Sequence, residues 1–307
     1  MAIREEILPL FYGNIREGLE NTVMDYEELW EIRLRVNQPI LLHGKRKDIY
    51  LKEGKTRPTL KELNQIVEAA CGYSGYAFEE EIKRGYVTIP GGHRIGLVGR
   101  TVMNGCELQT LKYISGVNVR VAHSAKGCAE KWKSYFYEEN RPCHILVISP
   151  PGYGKTTILR DIIRLYSTGS PEHPPVNVGV VDERSEIAGT YRGIASHDLG
   201  MYTDVLDGCP KILGMEMILR SMTPNVLAVD EIGSGDVKAL ENALRCGCRV
   251  LATMHGAGID DFLQNAAFFS LVRERVFERY VFLKSGQTPG VIGQICGKNF
   301  EKLWEEC

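Results

Sequence analysis

The stretch His144-Ile-Leu-Val-Ile-Ser-Pro-Pro-Gly-Tyr-Gly-Lys-Thr-Thr157 decides the fold of this chain. It begins with an apolar run typical of a buried strand, continues as a loop with two glycines, and ends where a helical pattern starts. The loop, Ser149–Thr156, matches G-x-x-x-x-G-K-[ST] except at its first position, where serine replaces glycine. A strand, a glycine loop and a helix in this order predict a phosphate-binding loop.

The residue types in this loop fit the chemistry of a polyphosphate. Gly152 and Gly154 let the backbone approach an anion without a Cβ in the way. Lys155 supplies a compact positive charge to the β- and γ-phosphates, and the Thr156 hydroxyl is a ligand for Mg²⁺. The loop therefore predicts a nucleoside triphosphate and Mg²⁺ as cofactors, and analogy with other P-loop ATPases makes ATP the expected nucleotide. The residues expected to contact the nucleotide are Pro150, Pro151, Gly152, Tyr153, Gly154, Lys155, Thr156 and Thr157.

The second half of the chain has the texture of a parallel sheet. Continuous apolar runs alternate with helical stretches, as in sheets covered by helices on both faces. The runs are His144–Ile148, Val176–Val181, Val226–Val229 and Arg249–Thr253. The predicted fold class is α/β, with a C-terminal RecA-like P-loop NTPase core built on a mainly parallel sheet and a smaller α+β domain before it.

Two carboxylates follow the strand at 226–229. Asp230 and Glu231 come about 70 residues after the lysine, a plausible distance for a neighbouring strand. Adjacent residues at a strand end point in different directions, so the two acids can have two tasks. We expect Asp230 to hold Mg²⁺ with Thr156, and Glu231 to orient or deprotonate the attacking water.

A second acidic strand end competes for the same roles. Val178–Val181 is followed by Asp182, Glu183, Arg184 and Glu186. Parallel strands end at the same edge of a sheet, so both acid pairs can line one crevice. Glu183 is the next candidate for the catalytic base. A purely structural role for Asp182 and Glu186 remains open at this point.

A third strand ends in polar residues. Thr253 and His255 close the run that begins at Arg249. At the same sheet edge an imidazole can sense the γ-phosphate and its loss, which makes His255 a third candidate catalytic residue.

The first 123 residues mix helix and antiparallel strand signals. They predict a strand at Glu31–Val36, a helix at Pro58–Ala70, a second helix capped by Ser74, and hairpins at Gly91–Gly92 and Asn104–Gly105. We expect an N-terminal α+β domain at 1–123, a linker region at 124–141, and a P-loop ATPase domain at 142–307.

Composition sets limits on partners and location. The 37 Lys and Arg residues nearly balance the 39 Asp and Glu residues, so no global field favours nucleic acid. The N-terminal sequence has no signal-peptide pattern and no run is long enough to span a bilayer, which predicts a cytoplasmic protein. Nine scattered cysteines without paired C-x-x-C units predict reduced thiols.

Together these segments resemble the secretion ATPases of the type II and type IV superfamily. Ser149–Thr156 is similar to their Walker A loop, Val226–Glu231 to their Walker B strand, Asp182–Glu186 to their acidic box, and Ala252–Gly256 to their histidine box. The resemblance covers roughly residues 120–285.

Other segments resemble one family within that superfamily, the stage III sporulation AA proteins. The segments are Glu31–Val36, 85–96, Val180–Gly189 and Asp207–Lys211. This resemblance implies an ATPase of endospore-forming bacteria that works in the mother cell and energises a channel complex toward the forespore. Its implied partners are membrane proteins of that complex, and its implied place is the cytoplasm, peripheral at the membrane facing the forespore.

The resemblance also implies self-association into a ring, expected to be a hexamer, with nucleotide between subunits. In such a site an arginine from elsewhere often stabilises charge on the transferred phosphate. The candidate arginines are Arg94, Arg100, Arg120, Arg184 and Arg192.

Two other functions fit parts of the sequence. A P-loop protein that binds single-stranded nucleic acid would use the basic turn Lys45-Arg46-Lys47 and aromatic surfaces. Those aromatic residues are Tyr73, Tyr76, Phe78 and Tyr86. A non-hydrolysing module would use nucleotide only for assembly, and the pairing of Lys155 with Asp230 and Glu231 argues against it. We expect no nucleic acid partner.

Overall fold

The computed structural model describes residues 3–73, 79–83, 85–123, 126–264, 266–286 and 289–305. The chain forms two compact units. The first contains Met1–His123 and Gly189–Ser196, and the second contains Ser124–Ala188 and His197–Cys307. Ser74, Tyr76 and Phe78, named in the predictions above, lie outside the described residues.

The first unit consists of short helices around one antiparallel sheet. Its helices are α1 (Ile3–Ile7), α2 (Gly13–Glu20), α3 (Leu60–Ala70) and α4 (Glu79–Lys83). Its strands are β1 (Leu29–Arg35), β2 (Leu41–Gly44), β3 (Asp48–Tyr50), β4 (Tyr86–Thr88), β5 (Arg94–Asn104) and β6 (Glu107–Arg120). The spatial order of the strands is β3-β2-β1-β6-β5-β4.

Alternation along the strands builds the core of this unit. On β1, Ile32 and Leu34 are buried while Arg33 and Arg35 point to the other face, as period-two patterning requires. The β5–β6 hairpin closes between Asn104 and Glu107, with Gly105 at φ +62°, which glycine adopts readily. The hairpin predicted at Asn104–Gly105 is therefore confirmed.

The second unit contains the glycine loop. Its strands are β7 (Tyr137–Glu138), β8 (Arg141–Pro142), β9 (Ile145–Ser149), β10 (Val178–Asp182), β11 (Thr203–Asp207), β12 (Val226–Val229), β13 (Arg249–His255), β14 (Arg279–Leu283), β15 (Ile292–Gly297) and β16 (Lys302–Glu305). Its helices are α5 (Lys155–Thr168), α6 (Lys211–Ser221), α7 (Val237–Arg245), α8 (Ile259–Leu263) and α9 (Phe269–Arg273).

Eight strands form the main sheet in the order β11-β10-β12-β13-β9-β14-β15-β16. The pairs from β11 to β14 are parallel, and the last two pairs are antiparallel. Side chains of β9 alternate between the two faces: Ile145 and Val147 pack with α5, whereas Leu146 and Ile148 pack in the core that contains α6 and α7. Helices thus cover both faces of the sheet, as the continuous apolar runs predict.

The segment predicted as a linker packs within the second unit. Residues Glu130–Phe136 form a 3-10 helix, and Phe136 is fully buried in the core beside α5. Asp161 of α5 accepts the backbone N–H groups of Gly127 and Ala129 at 2.9 and 2.7 Å. A buried carboxylate on the helix that follows the glycine loop therefore anchors this segment.

The predicted fold class is confirmed: a RecA-like core with a mainly parallel sheet follows an antiparallel N-terminal domain. Strand β11 at one edge and strands β14 to β16 toward the other were not predicted from the sequence. No helix among the described residues has the length and apolar character needed to cross a bilayer.

Candidate functional site

The polar strand ends of the second unit meet at one edge of its sheet. Strand β13 lies between β9 and β12, and β10 lies on the far side of β12. In this register His255 pairs with Ser149 at the start of the glycine loop. Because these strands are parallel, the residues that follow their carboxyl ends face a common crevice.

The glycine loop has the backbone shape of an anion cradle. Gly152 and Gly154 adopt φ values of +82° and +90°, in the region that L-residues rarely occupy. Within the described residues, the N–H groups of residues 154–157 have no protein acceptor, because they form the first turn of α5 and the cap before it. Free amides at a helix N-terminus attract negative charge.

Lys155 lies beneath this loop. Its side chain is buried, and its Nζ donates to the carbonyl oxygens of Ser149 and Pro150 at 3.1 and 3.3 Å. Burial lowers the pKa of Lys155 from its ordinary value, while the carboxylates of Glu231 and Asp230 act in the opposite direction. The neighbouring carboxylates thus help to keep a desolvated ammonium protonated.

Asp230 connects the glycine loop to the neighbouring strands. Its Oδ2 accepts the Thr156 hydroxyl at 2.9 Å, and its Oδ1 accepts a short hydrogen bond from the Thr253 hydroxyl. Thr253 is fully buried, so its hydroxyl orients the carboxylate from inside the sheet. A hydroxyl and a carboxylate in contact are oxygen ligands of the kind that Mg²⁺ prefers.

His255 joins the lysine to the second acid. The Lys155 ammonium can only donate, so it donates to Nδ1 of His255 at 2.8 Å. A neutral imidazole that accepts at Nδ1 has its proton on Nε2, which lies 2.9 Å from Oε1 of Glu231. The three side chains therefore form a continuous hydrogen-bonded path from the glycine loop to Glu231.

Glu231 has an unusual backbone conformation. Its φ is +45°, a region that costs a non-glycine residue about 1–2 kcal/mol. Its N–H donates to Oδ1 of Asp230 at 3.0 Å and to the Thr253 hydroxyl at 2.9 Å, and Arg184 reaches its Oε2 at 3.1 Å. Strain of this kind is maintained only where several contacts determine the conformation.

Asp182 is not arranged as a metal ligand. Its buried carboxylate accepts the backbone N–H groups of Glu186, Ile187 and Ala188 at 2.8, 3.0 and 2.8 Å. Burial raises the pKa of Asp182 to about 6, although these three hydrogen bonds lower it. Arg160 of α5 donates to the carbonyl oxygens of Ile187 and Glu186 in the same loop. Of the roles left open by the sequence, the structural one fits this carboxylate.

A small cleft collects the remaining charged groups. Glu183 and Arg184 line it together with Lys211, Asp230 and Glu231. The structure therefore brings Glu183 and Glu231, the two candidate bases, into one cleft. Among the five candidate arginines, Arg184 belongs to this unit, and Arg94, Arg100, Arg120 and Arg192 belong to the first unit.

Three contacts at this site were not anticipated from the sequence. Arg160 donates to the carbonyl of Ile187 in the loop after β10, and the Thr253 hydroxyl donates to Asp230. The Lys211 ammonium donates to the main-chain carbonyl of Glu231 at 2.6 Å. Thr253 lies two residues before His255 on the same strand, so period-two alternation predicts that both side chains lie on the same face. No sequence pattern singled out Arg160, because basic residues on a helix usually lie on its solvated face.

The fold and the site define a class of protein. The chain superimposes on the X-ray structure of the ATPase DotB of Legionella pneumophila with a TM-score of 0.56 at 15% identity, covering 89% of this chain and 77% of that one. It superimposes on the pilus retraction motor PilT, solved with bound ADP, with a TM-score of 0.54 at 15% identity, covering 90% and 77%. The fold is that of the secretion and pilus ATPases.

The sequence comparison is more specific. The chain is 41% identical over 300 residues to stage III sporulation protein AA of Bacillus subtilis strain 168, covering 96% of this chain and 94% of the relative. The family model described as "Sporulation stage III, protein AA" matches residues 1–303. The chain belongs to this family.

Proposed function

We propose that this protein is an ATP hydrolase whose site is the cleft between the glycine loop and the acidic strand ends. The observation that carries the proposal is the 2.9 Å hydrogen bond from the Thr156 hydroxyl to Asp230. This hydrogen bond joins the predicted anion cradle, which follows β9, to the predicted metal ligand, which follows β12. The bound ADP named for the PilT structure supports an adenine nucleotide as the ligand.

Each residue then has a defined task. Residues 150–157 bind the phosphates, with Lys155 supplying the positive charge. Thr156 and Asp230 hold Mg²⁺. When bound, Mg²⁺ neutralises charge that develops on the transferred phosphoryl group. Glu231 orients the attacking water and accepts its proton, with Glu183 as the second candidate base in the same cleft.

His255 has a positioning and sensing task in this scheme. Its ring contacts both Lys155 and Glu231, so a phosphate that draws the lysine away also changes the partner of the imidazole. Loss of the γ-phosphate can thereby be transmitted to Glu231.

Family membership supports a proposal for the cellular role. We infer that hydrolysis energises a sporulation channel complex between mother cell and forespore, with membrane proteins of that complex as partners. A homohexameric ring in the cytoplasm, peripheral at that membrane, completes the proposal. Membership in the sporulation family and the fold shared with secretion ATPases support it.

Two substitutions test the enzymatic proposal. Lys155→Ala removes the buried charge and is expected to weaken ATP binding at least 100-fold, which is about 3 kcal/mol. Glu231→Gln is expected to retain ATP binding while kcat falls on the order of 10²–10⁴-fold. Equilibrium binding of a fluorescent ATP analogue and steady-state phosphate release measure the two effects. Normal hydrolysis by both variants would exclude the proposed site.

Two residues of the nucleic-acid alternative have partners within the described part of the chain. Arg46 of the basic turn forms an ion pair with Glu28 at 3.2 Å, and Arg94 stacks over the ring of Tyr86 at 4.2 Å. One cation of the basic turn and one of the four aromatic rings therefore have partners within the protein, and Arg46 is 79% exposed.

A further inference from the structure

Lys211 is a charged residue of the cleft that the proposed chemistry does not use. It is the first residue of α6, directly after the turn that follows the edge strand β11. Only 11% of its side chain is exposed. An ammonium at this depth is placed by its contacts, because a free lysine extends its charge into water.

Two oxygens fix this ammonium. Nζ donates to the main-chain carbonyl of Glu231 at 2.6 Å and lies 3.5 Å from Oδ2 of Asp236. Oδ2 of Asp236 also accepts the N–H of Gly233 at 2.8 Å. Lys211 and Asp236 therefore close the turn that follows β12 from both ends.

The turn they close contains the strained residue. Glu231 has φ +45°, and its N–H is bound by Asp230 and Thr253 on one side of the peptide unit. The Lys211 ammonium binds the carbonyl on the other side. Both polar groups of the residue are thus held, which is how a left-handed glutamate is maintained against relaxation to an ordinary conformation.

We propose that Lys211 is a positioning residue for Glu231: its ammonium holds the backbone of that residue in the left-handed conformation that directs the carboxylate toward His255. The inference rests on the proposed function, in which Glu231 orients the attacking water. Lys211 acts through Glu231 and does not touch substrate in this scheme. Arg184 binds the Glu231 side chain at Oε2 and is 63% exposed, whereas Lys211 binds the Glu231 backbone.

The test compares two lysine-to-methionine variants that lie in the same unit. Lys211→Met keeps the apolar stem and removes the charge, and we expect kcat to fall at least tenfold while the ATP dissociation constant changes less than twofold. Lys238→Met removes an exposed lysine at the start of α7 and is expected to leave both values unchanged. A general loss of folding would change binding and kcat together, so the split identifies positioning.

A double variant separates positioning from an independent role. If Lys211 acts through the Glu231 carboxylate, adding Lys211→Met to Glu231→Gln lowers the residual single-turnover rate less than twofold. A further tenfold loss in that background would overturn the proposal, as would wild-type kcat in Lys211→Met.

Asp236→Asn keeps the proposal testable if Lys211→Met does not fold. It retains an oxygen for Gly233 and removes the charge beside the ammonium, so kcat is expected to fall several-fold at an unchanged ATP dissociation constant. Wild-type kcat in this variant would contradict the inference. Failure of the proposed function has a different signature, in which wild-type protein releases no phosphate or Glu231→Gln releases it normally.

Discussion

Asp182 shows how the surroundings of one residue assign its role. Its position at a strand end beside Glu183 fits a metal ligand, a catalytic acid or a structural anchor. Three backbone N–H groups converge on its two oxygens, and its side chain is 2% exposed. A carboxylate whose lone pairs are used in this way shapes the loop that carries Glu183 and Arg184 into the cleft.

The raised pKa of Asp182 predicts a pH-dependent stability. Burial, together with the charge of Asp207, raises this pKa to about 6 although the three backbone hydrogen bonds lower it. The folded state therefore binds the proton more tightly than the unfolded chain, and this contribution to stability is present near pH 4 and lost as pH rises through about 6. The unfolding free energy of wild type minus that of Asp182→Asn should fall by about 2 kcal/mol between pH 4 and pH 7.

Urea unfolding at several pH values measures this difference. Asp204→Asn is the matched control, since Asp204 is an exposed carboxylate on β11. A difference between wild type and Asp182→Asn that stays constant with pH would show that Asp182 does not titrate in this range.

The sequence patterns predict where the candidate catalytic residues lie better than they predict the hydrogen-bond partners of those residues. Asp230, Glu231 and His255 could be placed because each ends an apolar run, and parallel strands end at one edge. Their hydrogen bonds could not be predicted, since the direction of Glu231 depends on a positive φ that no pattern at 226–231 encodes. Lys211 was part of a quoted family segment without any assigned role, because its partner is a backbone carbonyl 20 residues away.

At the scale of elements, the glycine loop depends on a segment far along the chain. Gly290 lies just before β15, and its N–H donates to the carbonyl of Tyr153 at 2.9 Å. A Cβ on Gly154 would lie 2.2 Å from that nitrogen, whereas a Cβ on Gly152 would meet nothing within 4 Å. The two glycines therefore satisfy different requirements: conformation alone at Gly152, and conformation plus close approach at Gly154.

This difference predicts unequal effects of two alanine substitutions. Gly152→Ala adds only left-handed strain and should reduce the unfolding free energy by about 1 kcal/mol. Gly154→Ala adds a backbone collision that neither segment can avoid without moving, so about 3 kcal/mol or more is expected. Chemical denaturation provides both values. Equal losses in the two variants would mean that the contact with Gly290 is not maintained in solution.

Three of the four strands that the sequence patterns did not predict, β11, β15 and β16, share a physical cause. Strand β14, Arg-Tyr-Val-Phe-Leu, is an apolar strand paired in parallel with β9 and lacks that cause. Strand β11 reads Thr-Asp-Val-Leu-Asp, and its burial is partial because it lies at an edge of the sheet. Strands β15 and β16 extend the other edge in antiparallel order and are likewise not continuous apolar runs. Central parallel strands can be predicted from sequence because both of their faces are hydrophobic. Edge strands form because they pair with a neighbouring strand, and the local sequence does not show that pairing.

At the scale of the whole molecule, each unit has its own core, but the first unit is built from two segments that are separate in the sequence. Residues Gly189–Ser196 belong to the first unit, although they directly follow Ala188 of the second unit. Tyr191 from this segment packs against the core of the first unit, and Arg192 stacks on the Tyr191 ring. A boundary drawn at one point of the sequence cannot represent such an excursion, because composition changes locally while tertiary contacts do not follow chain order.

Ring assembly is the prediction that belongs to the intact protein. The family relationship and the fold of secretion ATPases lead us to expect that nucleotide favours a homohexamer of 34.4 kDa chains, about 206 kDa in total. Native mass measurement with and without a non-hydrolysable ATP analogue tests this. We expect the larger species to increase with the analogue in wild type and to stay constant in Lys155→Ala at the same analogue concentration, because that variant binds the ligand at least 100-fold more weakly. Nucleotide-independent assembly, equal in both proteins, would separate oligomerisation from the glycine loop and leave hydrolysis as a property of each chain alone.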